Sequence, residues 1–276
     1  MPFDEIKMID GIKCYQPDVA EDYLGYPNAG FDITDDLGDS SFWVRSRNRL
    51  LKREVLRAVT GAPHPRFLEI GCGTGTFLRS LSSEDNLNLV GSEIYVRGLR
   101  SARMHSSKNI EFIQLDATRM PFTNEFDVIG AFDVIEHIED DISVIRGIQR
   151  SLKSEGYLIL TVPQYQFLWG NLDEFVHHKR RYDRKDLVEK VESAGLQVEY
   201  VSSFVFSLFP LMLISRYLER SREVSTSNFN QQVRFNRFTN WVFGLFMRLD
   251  EIMIRLRFSL PWGGSLILVA KKPVDN

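Results

Sequence analysis

The chain contains little cysteine, no marked excess of one charge and no long apolar run. Only Cys14 and Cys72 occur among 276 residues, so we expect no disulfide framework and a reducing compartment. The net charge of −3 gives no reason to expect a nucleic-acid partner. No apolar run approaches the ~20 residues that a membrane-spanning helix needs, and the N-terminus lacks the features of a secretion signal. These absences favour a cytoplasmic protein, with contact to a membrane surface as the open alternative.

Short apolar runs alternate with polar helical segments in the central part of the chain. The apolar runs predict strands at 66–70, 88–93, 110–115, 126–132 and 157–162. The segments between and after them predict helices at 76–81, 95–105, 138–152 and 184–194. Helices between successive strands favour parallel pairing with right-handed crossovers. The pattern therefore predicts an α/β fold with a doubly wound sheet.

The pattern changes on both sides of this predicted core, which extends from 61 to 204. Residues 1–60 comprise an irregular arm followed by a basic amphipathic helix at 40–60. Residues 205–262 contain two apolar helical stretches joined by a polar linker. An apolar run at 265–270 then predicts a last strand within 263–276. We therefore expect one core that carries a helical insertion before its last strand.

The first predicted strand continues into a segment with three alternating glycines, Gly71, Gly73 and Gly75. Glycine allows sharp turns and lets a ligand approach the backbone without a Cβ in the way. At this edge of a doubly wound sheet the ligand is typically a nucleotide, although a tight turn alone is the structural alternative. A dinucleotide fingerprint would need glycine at position 76, where Thr76 stands.

Acidic residues lie at the ends of the first four predicted strands: Glu69, Glu93, Asp116 and Asp133. Each by itself could cap a helix or face solvent in a turn. Together they line one edge of the sheet, because the carboxyl ends of parallel strands meet there. A carboxylate at the second strand can accept both ribose hydroxyls, and one at the third can accept from an adenine amino group.

In their order along the chain, the segments 69–75, 93, 116–117 and 126–138 resemble the motifs of class I S-adenosylmethionine-dependent methyltransferases. The resemblance covers roughly residues 60–204 and the last strand. It implies a Rossmann-like, seven-stranded, mostly parallel sheet, and S-adenosylmethionine as the cofactor. The implied contacts are Glu69, Gly71, Cys72, Gly73 and Gly75 with the methionine part, Glu93 and Ile94 with the ribose, Asp116 and Ala117 with the adenine, and Asp133 and Val134 with the sulfonium region.

Two histidines are the candidate catalytic residues, because histidine is the commonest general base for a hydroxyl acceptor. His137 follows the fourth strand, and His178 lies in the segment 168–182, which has the mixed charged and aromatic composition of a lid. This segment is similar to an acid-rich His-x-Arg-Arg-Tyr segment in a bacterial subset of the family associated with cell-surface glycans and natural products. A structural hydrogen bond is the alternative role for either histidine.

The basic helix at 40–60 also resembles the N-terminal helix of that subset, in which an aromatic residue and an arginine meet the cofactor. Trp43 and Arg47 are the matching candidates, and Arg45 is the second choice. A guanidinium can bind the methionine carboxylate with two hydrogen bonds. A solvated basic helix face is the alternative.

The insertion is basic, with eight arginines and four acids at 204–262. Residues 238–256 place apolar side chains on one helical stripe. A basic amphipathic insertion can cover a substrate, form a homodimer, rest on anionic lipid, or simply pack over the sheet edge. The sequence leaves these four roles open.

Taken together, the motifs predict methyl transfer from S-adenosylmethionine to a small-molecule or glycan-type acceptor, at oxygen and without a metal. Methylation at carbon or nitrogen of a lipid-like or quinone-like acceptor is one alternative, and a non-catalytic cofactor-binding scaffold is another. The fourth strand is followed by Asp133-Val134-Ile135-Glu136. The absence of an Asn/Asp-Pro-Pro-Tyr/Phe type motif there argues against methylation of nucleic-acid bases.

Overall fold

A computed structural model describes residues 6–21, 41–106, 110–219 and 235–274. Nine strands within these residues form one sheet in the order β1-β2-β5-β4-β3-β6-β7-β9-β8. Neighbouring strands from β2 to β7 are parallel, whereas β1 pairs with β2, and β9 with both β7 and β8, in antiparallel fashion. The strands are β1 (Lys7–Ile9), β2 (Ile12–Cys14), β3 (Arg66–Ile70), β4 (Asn88–Glu93), β5 (Ile110–Gln114), β6 (Phe126–Phe132), β7 (Leu152–Pro163), β8 (Gln197–Phe204) and β9 (Ser265–Lys271).

Helices cover both faces of the sheet and bury a separate apolar cluster on each. They are α1 (Phe42–Ala58), α2 (Thr76–Leu81), α3 (Val96–His105), α4 (Asp141–Ser151), α5 (Asn171–Phe175), α6 (Arg184–Ser193), α7 (Phe209–Glu219) and α8 (Arg237–Arg255). The cluster on one face includes side chains of α1, α2, α3 and α8. The cluster on the other includes side chains of α4 and α6.

The predicted doubly wound α/β fold is confirmed, and β3, β4 and β6 have the predicted bounds. The sheet is larger than the seven strands implied by the resemblance, because β1 and β2 add to its edge. These residues had been assigned to an irregular arm. A three-residue strand is too short to show a period, yet Ile12 and Cys14 are buried and β2 pairs with β5.

The two helical stretches predicted for the insertion are α7 and α8, between β8 and β9. Most of the predicted linker lies outside the described residues. The amide of Phe42, at the start of α1, donates to the Asn240 side chain of α8 at 3.0 Å. Among the described helices, none is long and apolar enough to cross a membrane. The insertion therefore lies against the same helix that carries Trp43 and Arg47.

Candidate active site

The three glycines of the loop after β3 all have left-handed backbone angles, with φ of +66° at Gly71, +52° at Gly73 and +76° at Gly75. A Cβ added at Gly71 would lie 2.6 Å from a methyl of Val134, so this position has no room for a side chain. A Cβ added at Gly73 would have no atom within 4 Å. The loop is therefore packed at Gly71 and open to a ligand at Gly73.

Glu93 at the end of β4 holds this loop in place. One carboxylate oxygen accepts from the amide of Gly73 at 3.1 Å, and the other accepts from the amide of Ile94 at 2.8 Å. Burial raises the pKa of Glu93 above its usual value, although these backbone amides oppose the shift. Each carboxylate oxygen has two lone pairs, so Glu93 can anchor the loop and still accept from ribose hydroxyls.

Glu69 in β3 is a buried carboxyl with one oxygen that has no hydrogen-bond partner among the described residues. Burial raises the pKa of Glu69 to about 8, Glu93 adds to the shift, and Arg47 opposes it. Burial also raises the pKa of the neighbouring Cys72 thiol. The ammonium group of a methionine-type ligand would supply the cation that Glu69 lacks. The site thus fits the implied cofactor at this point.

The raised pKa of Glu69 implies that the free energy of unfolding depends on pH. Between the ordinary value of 4.5 and about 8, the native state holds the Glu69 proton while the unfolded chain has lost it. The free energy of unfolding should therefore fall with rising pH in this window, by up to about 1.4 kcal/mol per pH unit for one group. Urea unfolding of the wild type and of Glu69→Gln between pH 5 and 8 measures this contribution.

The wild type should lose stability relative to Glu69→Gln as the pH rises, because glutamine has no proton to lose. Other buried carboxyls such as Glu93 are common to both proteins and cancel in the difference. A difference in unfolding free energy that stays constant from pH 5 to 8 would show that Glu69 is already ionised in the native state.

Asp116, the predicted adenine contact, caps the 3₁₀ turn Ala117–Arg119 at the end of β5. Its carboxylate accepts from the Thr118 amide at 2.9 Å and from the Arg119 guanidinium at 2.9 Å. Ala117 is buried beside it. The structure thus places both residues at the expected sheet edge, with the Asp116 carboxylate already engaged within its own turn.

Arg47 of α1 reaches the end of β6 and forms an ion pair with Asp133 at 2.5 Å. Its guanidinium lies 4.9 Å from the centre of the Trp43 ring, within cation–π range. Its Nε is buried without a hydrogen-bond partner in the described part of the chain. Trp43, Arg47 and Asp133 are thus together, and the predicted contact of α1 with the cofactor stays a prediction.

The segment after β7 orients His178. His178 Nδ1 lies 2.8 Å from the buried Asp173 carboxylate, which also accepts two hydrogen bonds from Arg181. Burial raises the pKa of Asp173, but the hydrogen bonds from His178 and Arg181 outweigh burial and lower this pKa to about 2. Because an ionised carboxylate only accepts, Nδ1 carries the proton in the neutral ring and Nε2 has the free lone pair.

Glu136 and His137 lie next to the Nε2 side of His178. Glu136 Oε1 is 3.7 Å from this nitrogen, and neither Glu136 oxygen has a hydrogen-bond partner among the described residues. The His137 and His178 rings are 4.6 Å apart in an edge-to-face arrangement. Burial, followed by the influence of His178, lowers the pKa of His137 to about 3, which keeps it neutral.

The three side chains Glu136, His137 and His178 each offer one ligand atom, and these atoms lie within 4.8 Å of one another. Such a carboxylate–histidine set can hold a divalent cation, whereas the sequence predicted methyl transfer without a metal. Burial raises the pKa of Glu136, and the Asp133 carboxylate adds to this effect. The pocket therefore offers a proton-accepting nitrogen next to a carboxyl that lacks a partner.

The sequence analysis missed Glu136, and for the alternative structural role of His178 it left the hydrogen-bond partner open between Asp173 and Glu174. The signal for Glu136 was an acid directly before a histidine at the end of a buried strand. Its importance was not evident, because only the tertiary structure brings residues 136 and 178 together.

Comparison with known proteins shows the family of this chain. Residues 43–201 match the methyltransferase domain family. A ubiquinone biosynthesis O-methyltransferase of Aliivibrio fischeri is 27% identical over 119 residues, which are 41% of this chain and 50% of that protein. The Vibrio cholerae protein of the same name is 24% identical over 180 residues, which are 59% of this chain and 73% of that protein. The chain thus spans only half the length of the first of these relatives.

A solved structure with the same fold is phosphoethanolamine N-methyltransferase 2 of Haemonchus contortus in complex with phosphomonomethylethanolamine and S-adenosylhomocysteine. It superposes with a TM-score of 0.59 at 20% identity, over 91% of this chain and 59% of that one. At this identity the likeness establishes the fold and leaves the acceptor open.

Proposed function

The chain belongs to the methyltransferase domain family, whose methyl donor is S-adenosylmethionine, and we propose that it methylates a hydroxyl oxygen of a small-molecule acceptor. The observation that carries the choice of oxygen is His178, whose Nδ1 is held by Asp173 and whose Nε2 lies 3.7 Å from the Glu136 carboxyl. A hydroxyl acceptor needs a general base, and His178 can act as one because its hydrogen bond to Asp173 leaves the Nε2 lone pair free to accept a proton. The O-methyltransferase names of the curated relatives support the same choice.

The cofactor would be held by residues that the glycine loop brings together. Gly73 leaves space against its backbone, Glu93 would accept from the ribose hydroxyls, and Glu69 would face the ammonium group. Asp133 and Arg47 would lie beside the sulfonium region and the methionine carboxylate. When bound, S-adenosylmethionine supplies an activated methyl group on a positively charged sulfur.

The chain's own residues would then position the acceptor and take its proton. His178 Nε2 would accept the proton of the acceptor hydroxyl, while bound S-adenosylmethionine would supply the methyl group to the oxygen. Asp173 stabilises the imidazolium that results, and Arg181 keeps Asp173 ionised. The lid segment also excludes water, which would otherwise solvate the reacting groups.

The proposal includes a phenolic or glycan-type hydroxyl as the acceptor and is tested with a matched pair of compounds. Catechols with an alkyl chain and the corresponding aromatic amines would be incubated with the enzyme and S-adenosylmethionine. We expect S-adenosylhomocysteine and an O-methyl ether from the catechols, identified by mass spectrometry. The amines should give product at the background rate, because the proposed base assists only an acceptor that must lose its proton as it attacks, and a neutral amine gains nothing from it.

Turnover restricted to the amines would overturn oxygen methylation. Binding of S-adenosylhomocysteine with no turnover on catechols, sugars or amines would favour the cofactor-binding scaffold. Carbon methylation would appear as a ring-methylated product that keeps both hydroxyls.

A further inference from the structure

The helix α8 presents an apolar face to the outside of the molecule. We call this the outer face of α8 and define it by Trp241, Leu245, Leu249, Ile252 and Leu256, which are between 48% and 63% exposed. They recur every three to four residues, so they lie on one side of the helix. The stripe that the sequence predicted is therefore real, but it does not pack over the sheet edge.

The opposite face of α8 buries its acids. Asp250 accepts from the backbone amides of Phe206 and Ser207, and Glu251 accepts from Ser46 and Arg49 of α1. Burying carboxylates is costly unless they are hydrogen-bonded in this way. As a result, the charged side chains left on the exposed side of α8 at its C-terminal half, Arg248 and Arg255, are both cationic.

A cationic groove adjoins the outer face. It is a shallow depression of about 560 Å³ that is open to solvent, lined by Arg49, Lys52, Arg53, Leu56, Arg57, Thr60 and Arg255. Lys52 and Arg49 have acidic partners in Glu84 and Glu251. Arg53, Arg57 and Arg255 have none among the described residues, so their charges face the groove without compensation.

An apolar helix face flanked by unpaired arginines matches the surface of an anionic bilayer. Apolar side chains can enter the boundary between headgroups and acyl chains while the arginines bind phosphates. A second copy of the chain fits less well, because it would present the same unpaired arginines and no complementary negative charge. Charge complementarity therefore favours lipid.

We propose that the outer face of α8 and the adjoining cationic groove dock this enzyme on anionic membranes. The apolar residues insert at the bilayer interface, and Arg53, Arg57 and Arg255 bind lipid phosphates. Docking places α1, which carries Trp43 and Arg47 of the cofactor site, next to the membrane. Membrane binding does not depend on the identity of the methyl acceptor, and it can be measured without methyl transfer.

Flotation of the full-length protein with vesicles tests the docking. We expect the protein to float with phosphatidylcholine vesicles that contain phosphatidylglycerol, and to stay behind with phosphatidylcholine alone. Binding should weaken as the salt concentration rises, because arginine–phosphate attraction is screened. Absence of flotation with the anionic vesicles at low salt would overturn the proposal.

Two variants distinguish the effect of the groove arginines from the effect of the protein's net charge. Arg53→Glu combined with Arg57→Glu should lower the vesicle partition coefficient about 30-fold or more, since each basic residue near an anionic surface contributes on the order of fivefold. The matched control combines Arg146→Glu on α4 with Lys185→Glu on α6, two exposed residues at the opposite face of the sheet, and changes the net charge by the same amount. It should bind vesicles nearly as well as the wild type. If vesicle binding falls equally in the groove variant and in the control, net charge alone explains the binding, and a specific docking face is contradicted.

A third variant tests the apolar side chains of the outer face of α8. Leu249→Ser with Ile252→Ser removes half-exposed side chains, so folding should be preserved, and S-adenosylhomocysteine binding confirms that it is. We expect a loss of flotation. If this variant instead dissociates a dimer and leaves flotation unchanged, the outer face of α8 is an interface between two copies and the membrane proposal is wrong.

Discussion

Replacing His178 with asparagine should lower the rate of methyl transfer by about 10²–10⁴-fold, the range that a positioned general base contributes. Asparagine can still donate to Asp173, as His178 Nδ1 does at 2.8 Å, but it has no counterpart of the Nε2 lone pair. The lid should therefore keep its shape while the proton acceptor is lost. Single-turnover kinetics with saturating S-adenosylmethionine measures the chemical step directly.

The matched control is His177→Asn at the neighbouring position. His177 is exposed and has a left-handed backbone with φ of +59°, a conformation that asparagine tolerates well. This variant should keep nearly full activity. If both substitutions reduce the rate equally, the effect comes from the lid as a whole, and His178 is not the base.

Metal removal distinguishes the two chemistries that the cluster of Glu136, His137 and His178 can support. With His178 as a base, the protein should keep its activity after treatment with a chelator. Activity that disappears on chelation and returns with a divalent cation would make the cluster a metal site and His178 a ligand.

Gly73→Ala should abolish measurable binding of S-adenosylhomocysteine, or weaken it by at least about tenfold, which corresponds to about 1.4 kcal/mol. The new methyl group would meet no protein atom within 4 Å, so the fold can accept it. It would instead occupy the space into which the proposed cofactor fits. Isothermal titration calorimetry of S-adenosylhomocysteine is the direct measurement.

Gly61→Ala is a control for the backbone strain. Gly61 also has a left-handed backbone, with φ of +83°, and an added Cβ there would likewise meet nothing within 4 Å. Both variants should lose about 1–2 kcal/mol of stability, because alanine is strained in this conformation. Only Gly73→Ala should lose affinity. Equal affinity in the two variants would show that the open side of Gly73 is not where the cofactor lies.

Local pattern was enough to predict most of the core. The strands β3, β4 and β6 are apolar runs bounded by turns, and their limits follow from the side chains within them. The glycines after β3 signal a left-handed turn that other residues tolerate poorly, and all three have positive φ. These features depend on residues that are adjacent in the chain, so they can be predicted from the sequence.

Long-range pairs could not be predicted in the same way. The ion pair of Arg47 with Asp133, 86 residues away, could not be read from the sequence, which suggested for Arg47 only a contact with a cofactor carboxylate that stays a prediction. The strands β1 and β2 were missed because their stability comes from pairing with β5 and not from a pattern of their own. The orientation of α8 could not be predicted either, because an apolar helical stripe has the same sequence pattern whether it faces the core or the solvent.

The sequence by itself determined the doubly wound sheet, the glycine loop and the row of acids at its edge, because strand period, turn chemistry and strand ends are local properties. The tertiary structure decided which groups are buried together and which face outward. Glu69 has a pKa of about 8 only because the fold buries it, and His178 is oriented only because Asp173 and Arg181 fold against it. Burial and electrostatic coupling are set by atoms far apart in the chain, and they distinguish a methyl-transfer site from a row of acids and histidines.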